Sequence, residues 1–244
     1  MKPTKMITKN VSKIVAEDFR TAAVFSNYDI DFCCNGGISL MEICRKKGIE
    51  PEQILKDLDE AGSFPPRLDY QSFTQEELID HVIEVHHHYV RNTLTILGKY
   101  LEKLCKVHGE KRQELFEIKK EFDQASLELS QHMDKEERVL FPYLIAMQRA
   151  LKNDYHLSPP HFGNVDNPMK DMETEHQTEG DRFKRMRELS NDFKPPLGAC
   201  QTYKVTYEML KEFESDLHTH IHLENNIIFP RGRDMYNQLF LREA

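Results

Sequence analysis

Two stretches decide the reading of this chain, His132-Met133-Asp134-Lys135-Glu136 and His220-Ile221-His222-Leu223-Glu224, each of the form H-x-x-x-E. Residues four apart lie one above the other on one face of an α-helix, so each stretch aims an imidazole and a carboxylate the same way. The likeness continues downstream, where each is followed by four residues and then by Phe-Pro, at Phe141-Pro142 and Phe229-Pro230. His132 to His220 and Glu136 to Glu224 are both steps of 88 residues, and His87 to His176 is a step of 89. Two helical hairpins of one design would set these groups about a pseudo-twofold axis.

Around each stretch runs an apolar stripe in threes and fours. One is Leu115, Ile118, Phe122, Ala125, Leu129, His132, Glu136, Val139 and Tyr143; the other is Leu210, Phe213, Leu217, His220, Glu224 and Ile227. Two further stripes pass through Ile83, His87, Val90, Leu94, Leu97, Leu101 and Leu104, and through Met169, Met172, His176, Gly180, Phe183 and Met186. The spacing predicts four amphipathic helices. Thr74-Gln75-Glu76-Glu77 is a capping box ahead of the first, and a Pro/Asn/Gly-rich loop covers 158–167. Asn167-Pro168 supplies an N-cap and a first-position proline for the third, and Lys194-Pro195-Pro196-Leu197-Gly198 breaks the chain before the fourth. Four such helices on modest loops make an up-down four-helix bundle.

Each stripe thus carries a histidine where the pattern asks for an apolar residue, and two carry a glutamate as well. One histidine on an apolar face is ordinarily a satisfied core residue, and a glutamate four residues away an ordinary surface pair. Here that reading must hold six times at one level of one bundle, although a carboxylate buried without compensation costs several kcal/mol. A pair of cations removes the penalty, each carboxylate bridging them and each cation taking two imidazoles. The candidate metal ligands are therefore His87, His132, Glu136, His176, His220 and Glu224. No thiolate belongs to the set, and six ligands exceed one tetrahedral zinc. Mixed imidazole and carboxylate suit two non-haem iron ions, with manganese weaker. Positions left open on the irons suit water, an oxo or hydroxo bridge, O₂ or NO. Periodicity leaves His86, His88, His218 and His222 facing solvent or acting as outer partners. Glu128, four before His132, and Glu175, beside His176, either hold distal ligand nitrogens or lie on solvated faces.

The chain has 244 residues and a formal charge of -8, with 10 Gly and 11 Pro, which speaks against a loop-rich β fold and a nucleic-acid partner. No apolar run has the length of a membrane span and no signal-peptide pattern opens the chain. Five cysteines, two of them adjacent, do not resemble an extracellular disulfide framework, so the expected location is the cytoplasm. A break at Ala61-Gly62-Ser63-Phe64-Pro65-Pro66 separates a small helical domain, 1–66, from the bundle, 67–244. The small domain is read as helices over 11–28, 38–47 and 51–58. It contains Cys33-Cys34 before Asn35-Gly36-Gly37, for which a redox or transient metal-ligand role and an inert one both stay open. Cys44, Cys105 and Cys200 read as small core residues.

Tyr28-Asp29-Ile30-Asp31-Phe32-Cys33-Cys34-Asn35-Gly36-Gly37 resembles the signature of the small amino-terminal domain of the di-iron iron–sulfur cluster repair proteins. Their second domain is hemerythrin-like, with motifs similar to His132 through Pro142, Met172 through His176 and His220 through Pro230. The resemblance covers nearly the whole chain in order, although many members place Gly directly after the cysteines. It implies the same six ligands on a di-iron centre, and Cys33, Cys34, Glu128 and Glu175 as the catalytic candidates beside it. It further implies repair of clusters damaged by nitric oxide or oxidative stress, by iron donation or by NO binding or reduction. The partners would be damaged iron–sulfur proteins and NO or O₂, with no nucleic acid and no membrane, and a homodimer exchanging small domains is allowed. The alternative is a hemerythrin-like O₂/NO sensor or carrier, although the fifth histidine and the Asp carboxylate of oxygen carriers are not found at the required spacing. A ferroxidase would need the Glu-x-x-His pairs of ferritin-like bundles.

Overall fold

The computed structural model describes residues 6–62 and 68–241. Among these there is no strand, only one isolated antiparallel bridge between Asn10 and Ser39, and the chain is all-α. It divides into two compact units, Ile79–His220 and the residues on either side of that span.

The amino-terminal helices are α1 (Val11–Glu17), α2 (Thr21–Asn27), α3 (Leu40–Lys47) and α4 (Pro51–Gly62). Val11, Val15, Phe25, Leu40 and Ile54 are buried completely among them. The single helix expected over 11–28 is two. Asp18 is extended (φ -148°, ψ 96°), and its carboxylate accepts from the Arg20 N–H while its carbonyl accepts from Thr21. A side chain that satisfies nearby backbone donors competes with helix continuation, and here it wins. Ser39 caps α3 by accepting from Glu42 N–H, so this helix begins two residues later than expected. α4 runs on to Gly62, four residues past the expected end, and Ser63 to Pro66 of the expected break lie outside the described residues.

The larger unit starts within α5 (Gln75–His81), where Thr74 and Glu77 exchange side-chain-to-amide hydrogen bonds of 2.8 and 3.2 Å, the capping box of the sequence. The bundle helices are α6 (His88–His108), α7 (Glu114–Lys135), continued by α8 (Phe141–Asn153), then α9 (Asp166–Leu189) and α10 (Gln201–Leu223). Phe213 of α10 is where all four meet, 6.1 Å from the ring of Tyr89, 6.3 Å from Phe122 and stacked 5.2 Å from Phe183. α9 starts earlier than Asn167-Pro168 suggested. Asn164 Oδ1 accepts the Asp166 N–H, and Pro168 sits among the first residues, where a missing N–H costs nothing. After α10 the chain continues into α11 (Phe229–Phe240).

Three wide π-helical turns interrupt these helices, at Val82–His87, Glu136–Leu140 and Glu224–Ile228. In the last two the N–H of Phe141 reaches back to Glu136 O and that of Phe229 to Glu224 O, five residues rather than four. The following prolines explain them: Pro142 and Pro230 have no N–H for the carbonyl four residues back, and the ring crowds it, so the helix widens. Each wide turn inserts one residue into the register. The stripe expected to continue through Val139 and Tyr143 therefore continues through Leu140, Phe141 and Leu144, which are buried, while Val139 is exposed. Val82–His87 has no such proline, and its wide turn shifts burial from Ile83 to Val82 and His86.

This register is testable by urea unfolding. Val139→Ser is expected to change stability by less than about 0.5 kcal/mol, and Leu140→Ala to cost about 2–5 kcal/mol. The uninterrupted α-helical register requires the reverse.

Candidate metal centre

The bundle unit brings five of the candidate ligands together. His87 stands at the end of one wide turn, His132 on the last turn of α7, Glu136 at the start of the next wide turn, His176 on α9 and His220 on α10, all of them buried. They form two imidazole pairs. His87 Nε2 lies 3.1 Å from His220 Nε2, and His132 Nε2 lies 2.9 Å from His176 Nε2. Glu136 Oε2 lies between the pairs, 3.5 Å from His87 Nε2 and 3.3 Å from His132 Nε2. Glu224, in the other unit, is buried one helical turn beyond His220.

The outer nitrogens decide what the inner ones can be. His87 Nδ1 is 2.7 Å from Glu137 Oε1, which Arg91 also holds at 2.8 Å. His132 Nδ1 is 2.9 Å from Glu175 Oε2, and Lys135 holds the other oxygen of Glu175. The hydrogen bond to His132, with Lys135, pulls Glu175 down to about 2 despite partial burial, so it is an ionised acceptor. A carboxylate accepting at Nδ1 fixes the proton there and leaves the Nε2 lone pair facing inward. His220 and His176 bring their own Nε2 atoms to within 3.1 and 2.9 Å of these, with the Glu136 oxygen beside both pairs. A cation taken up at each pair would be coordinated by both imidazoles, and the donor set fits one.

The sequence comparisons agree with this chemistry. Residues 78–231 match the hemerythrin HHE cation binding domain, and residues 7–62 match ScdA_N, a domain of unknown function (DUF542). A probable iron–sulfur cluster repair protein of Haemophilus influenzae is 34% identical over 211 residues, 85% of this chain and 89% of that one. Iron–sulfur cluster repair protein ScdA of Staphylococcus haemolyticus is 30% identical over 229 residues, 93% and 99% of the two chains. Iron–sulfur cluster repair protein YtfE of Escherichia coli is 32% identical over 213 residues, 87% and 91%. This chain belongs to the iron–sulfur cluster repair family. The match with the cation-binding domain spans all six candidate ligands.

Several residues lie elsewhere than the periodicity placed them. His86 does not face solvent: it is buried, donates from Nδ1 to Asp216 at 2.9 Å and stacks on His220 with rings 5.9 Å apart. The wide turn Val82–His87 is what brings two consecutive histidines inside. His222 is also fully buried, edge-on to Phe32 and accepting at Nδ1 from Asn226. Glu128 is turned away from the imidazoles, toward Arg182 at 2.9 Å and Gln124. Cys44 and Cys105 are buried, whereas Cys200 is exposed just ahead of α10, its Sγ 3.4 Å from His108 Nε2. Cys33 and Cys34 are free thiols in the loop before α3.

The sequence reading passed over Glu137 and Glu179 altogether. Glu137 follows a candidate ligand directly, and only the outer nitrogen of His87 reveals its role. Glu179, one turn beyond His176, is 3% exposed and bonds Arg182 at 3.2 Å. Burial pushes it up to about 7, with facing Glu128 adding to the rise and Arg182 opposing it. A cavity of about 440 Å³ is bounded by Lys135, Val139, Leu140, Met172 and Glu175.

The Glu179 shift has a definite sign. An unfolded glutamate titrates near 4.5, so between that value and about 7 the folded chain keeps a proton that the unfolded chain has lost. Stability contributed by this group therefore falls as pH rises through the window. In the metal-free protein, Glu179→Gln is expected to raise the unfolding free energy at pH 8, by up to about 3 kcal/mol, and to leave it unchanged at pH 4. Equal effects at both pH values contradict a buried, protonated Glu179.

Proposed function

We propose that this chain repairs iron–sulfur clusters damaged by nitric oxide or oxidative stress, using two non-haem iron ions held by His87, His132, Glu136, His176, His220 and Glu224. The observation that carries the reading is the single Glu136 oxygen lying 3.5 and 3.3 Å from a nitrogen of each imidazole pair, so that one carboxylate would serve both. The repeated H-x-x-x-E supports Glu224 as its counterpart, one turn past His220. An all-imidazole and carboxylate set favours iron over structural zinc. The names of the relatives support cluster repair as the activity.

Iron bound by these residues would supply one-electron redox chemistry, affinity for NO or O₂, and metal that can be given to a client. The chain's own residues prepare it. Glu137 and Glu175 keep Nδ1 of His87 and His132 protonated, so both Nε2 atoms are presented inward. Arg91 and Lys135 anchor those carboxylates. Phe141, its ring 6.0 Å from that of His87 and nearly parallel, walls the seam against water. Damaged iron–sulfur proteins are the clients. The cytoplasm is the setting, in keeping with five unpaired cysteines, and the bundle domain, 67–244, carries the centre, the small domain, 1–66, preceding it in the chain.

The direct test adds iron-loaded protein to a nitrosylated iron–sulfur hydratase. Recovery of hydratase activity is expected, and Glu136→Leu is expected to bind less than one iron per chain and to restore nothing. Equal rescue by both proteins sinks the reading, and reversible oxygenation without rescue favours an O₂ carrier. Glu175→Gln is expected to weaken metal binding about 10–100-fold, the usual cost of losing the carboxylate behind a ligating imidazole. Iron should leave as pH falls below about 6.5, where free imidazoles protonate; retention down to about pH 4 contradicts four imidazole ligands.

A further inference from the structure

The loop between α2 and α3 is built around one carboxylate. Asp31 Oδ1 accepts the N–H groups of Cys33 and Cys34 at 3.0 and 2.9 Å, and Oδ2 accepts the N–H and Nδ2 of Asn35 at 3.2 and 2.7 Å. Burial works to raise Asp31, but these donors outweigh it and hold the group below the ordinary carboxylate range. Gly36 closes the loop where nothing larger fits. A Cβ there would lie 2.6 Å from Phe32 O and 2.8 Å from Ser12 N. From the far end of the chain, Asn225 and Asn226 donate to the Cys33 carbonyl at 3.4 and 3.1 Å.

This fixed loop holds two sulfurs at a particular separation. Cys33 Sγ lies 3.6 Å from Cys34 Sγ and 3.2 Å from Asp31 Oδ1. A tetrahedral cation with metal–sulfur bonds of about 2.3 Å sets its sulfurs about 3.8 Å apart, so the thiols already stand at chelating distance. Ligand atoms of Asp31, Cys33 and Cys34 all lie within 4.8 Å of one another. A disulfide between adjacent residues closes a strained ring, whereas a bridging cation enlarges that ring by one atom. Cys33 is buried and Cys34 half-buried, which leaves one side of the group open.

We propose that Asp31, Cys33 and Cys34 form a second cation site, selective for one thiophilic divalent ion and separate from the bundle centre. Binding takes up one cation and releases the two thiol protons to solvent, with no change in oxidation state. The hydrogen bond to Cys34, together with burial and the nearby Asp31 charge, pushes the Cys33 thiol well up, so it keeps its proton until a cation displaces it. The binding stands on the loop geometry alone. Its use as the station from which iron leaves for a client rests on the repair reading above.

The test titrates whole, reduced, metal-free protein with Cd²⁺ alone, in a Cys200→Ser background because Cys200 is exposed beside His108. The readouts are the thiolate-to-cadmium ultraviolet band and bound cadmium per chain. One thiolate-ligated cadmium is expected, with the band lost in Cys33→Ser and in Cys34→Ser, weakened in Asp31→Asn and kept in Glu136→Gln. Phenylarsine oxide, which bridges two close thiols, is expected to add once per chain and to block the cadmium band. Cys34 is the less buried sulfur, so its variant keeps the test decisive should Cys33→Ser fail to fold. No band at saturating cadmium, or a band that survives in Cys34→Ser, overturns the site. A band without hydratase rescue removes only the repair reading; rescue without a band removes only this one.

Discussion

Four imidazole nitrogens drawn into pairs about 3 Å apart, around one carboxylate oxygen, are what the bundle must accommodate. Imidazole nitrogens and a carboxylate gathered out of reach of water are donors of the kind that coordinate a cation. Glu137 and Glu175 stand behind two of the rings and hold the outer protons of His87 and His132, which leaves the inner nitrogens of those two as lone-pair donors to a cation. Arg91 and Lys135, on the solvent side, anchor those carboxylates. Polar groups placed in this manner are organised to present imidazole and carboxylate donors to a cation.

The wide turns are how the helices reach that arrangement. A straight α-helix offers one residue to the seam at each step of three or four, but the turn Val82–His87 buries His86 and His87 together. His87 is thereby aimed at His220 while His86 stacks behind the same ring and is fastened to Asp216. The turns at Glu136 and Glu224 each begin on a glutamate and end just before Phe-Pro. The proline enforces the widening, and the phenylalanine is carried inward by it, Phe141 coming to lie nearly parallel to His87. At Glu136 and Glu224, backbone irregularity, apolar shielding and ligand direction therefore share one cause, the proline that ends each Phe-Pro.

The sequence made much of this legible because burial in a helix has a period, and a polar residue that keeps the period stands out. His132, His176 and His220 stand on regular helix and were readable from spacing alone. Spacing fails where the helix is irregular: it carries the core stripe through Val139 and Tyr143 and leaves His86 either facing solvent or an outer partner, because one residue inserted by a π turn rotates all that follows. The repeated Phe-Pro was the available signal for two of the turns, and nothing in the sequence marks the first. Glu137 and Glu179 were invisible for another reason, since their significance lies in the partner across the bundle and not in their own helix. The break at Asp18 belongs to the same class, a side chain outcompeting the helix through contacts only two or three residues away.

The turn Glu224–Ile228 also explains why the dithiol loop is where it is. Within three consecutive residues, Glu224 is buried as a candidate ligand while Asn225 and Asn226 hold the carbonyl of Cys33. His222, one turn ahead of Asn226, accepts from it and packs its ring against Phe32 and Phe19, so the same short span also supports the loop from its apolar side. A helix of regular pitch would separate these directions differently; the wide turn fixes both at once. Any change in the loop that shifts the Cys33 carbonyl must be absorbed by the two asparagines, and through them by the backbone that sets Glu224.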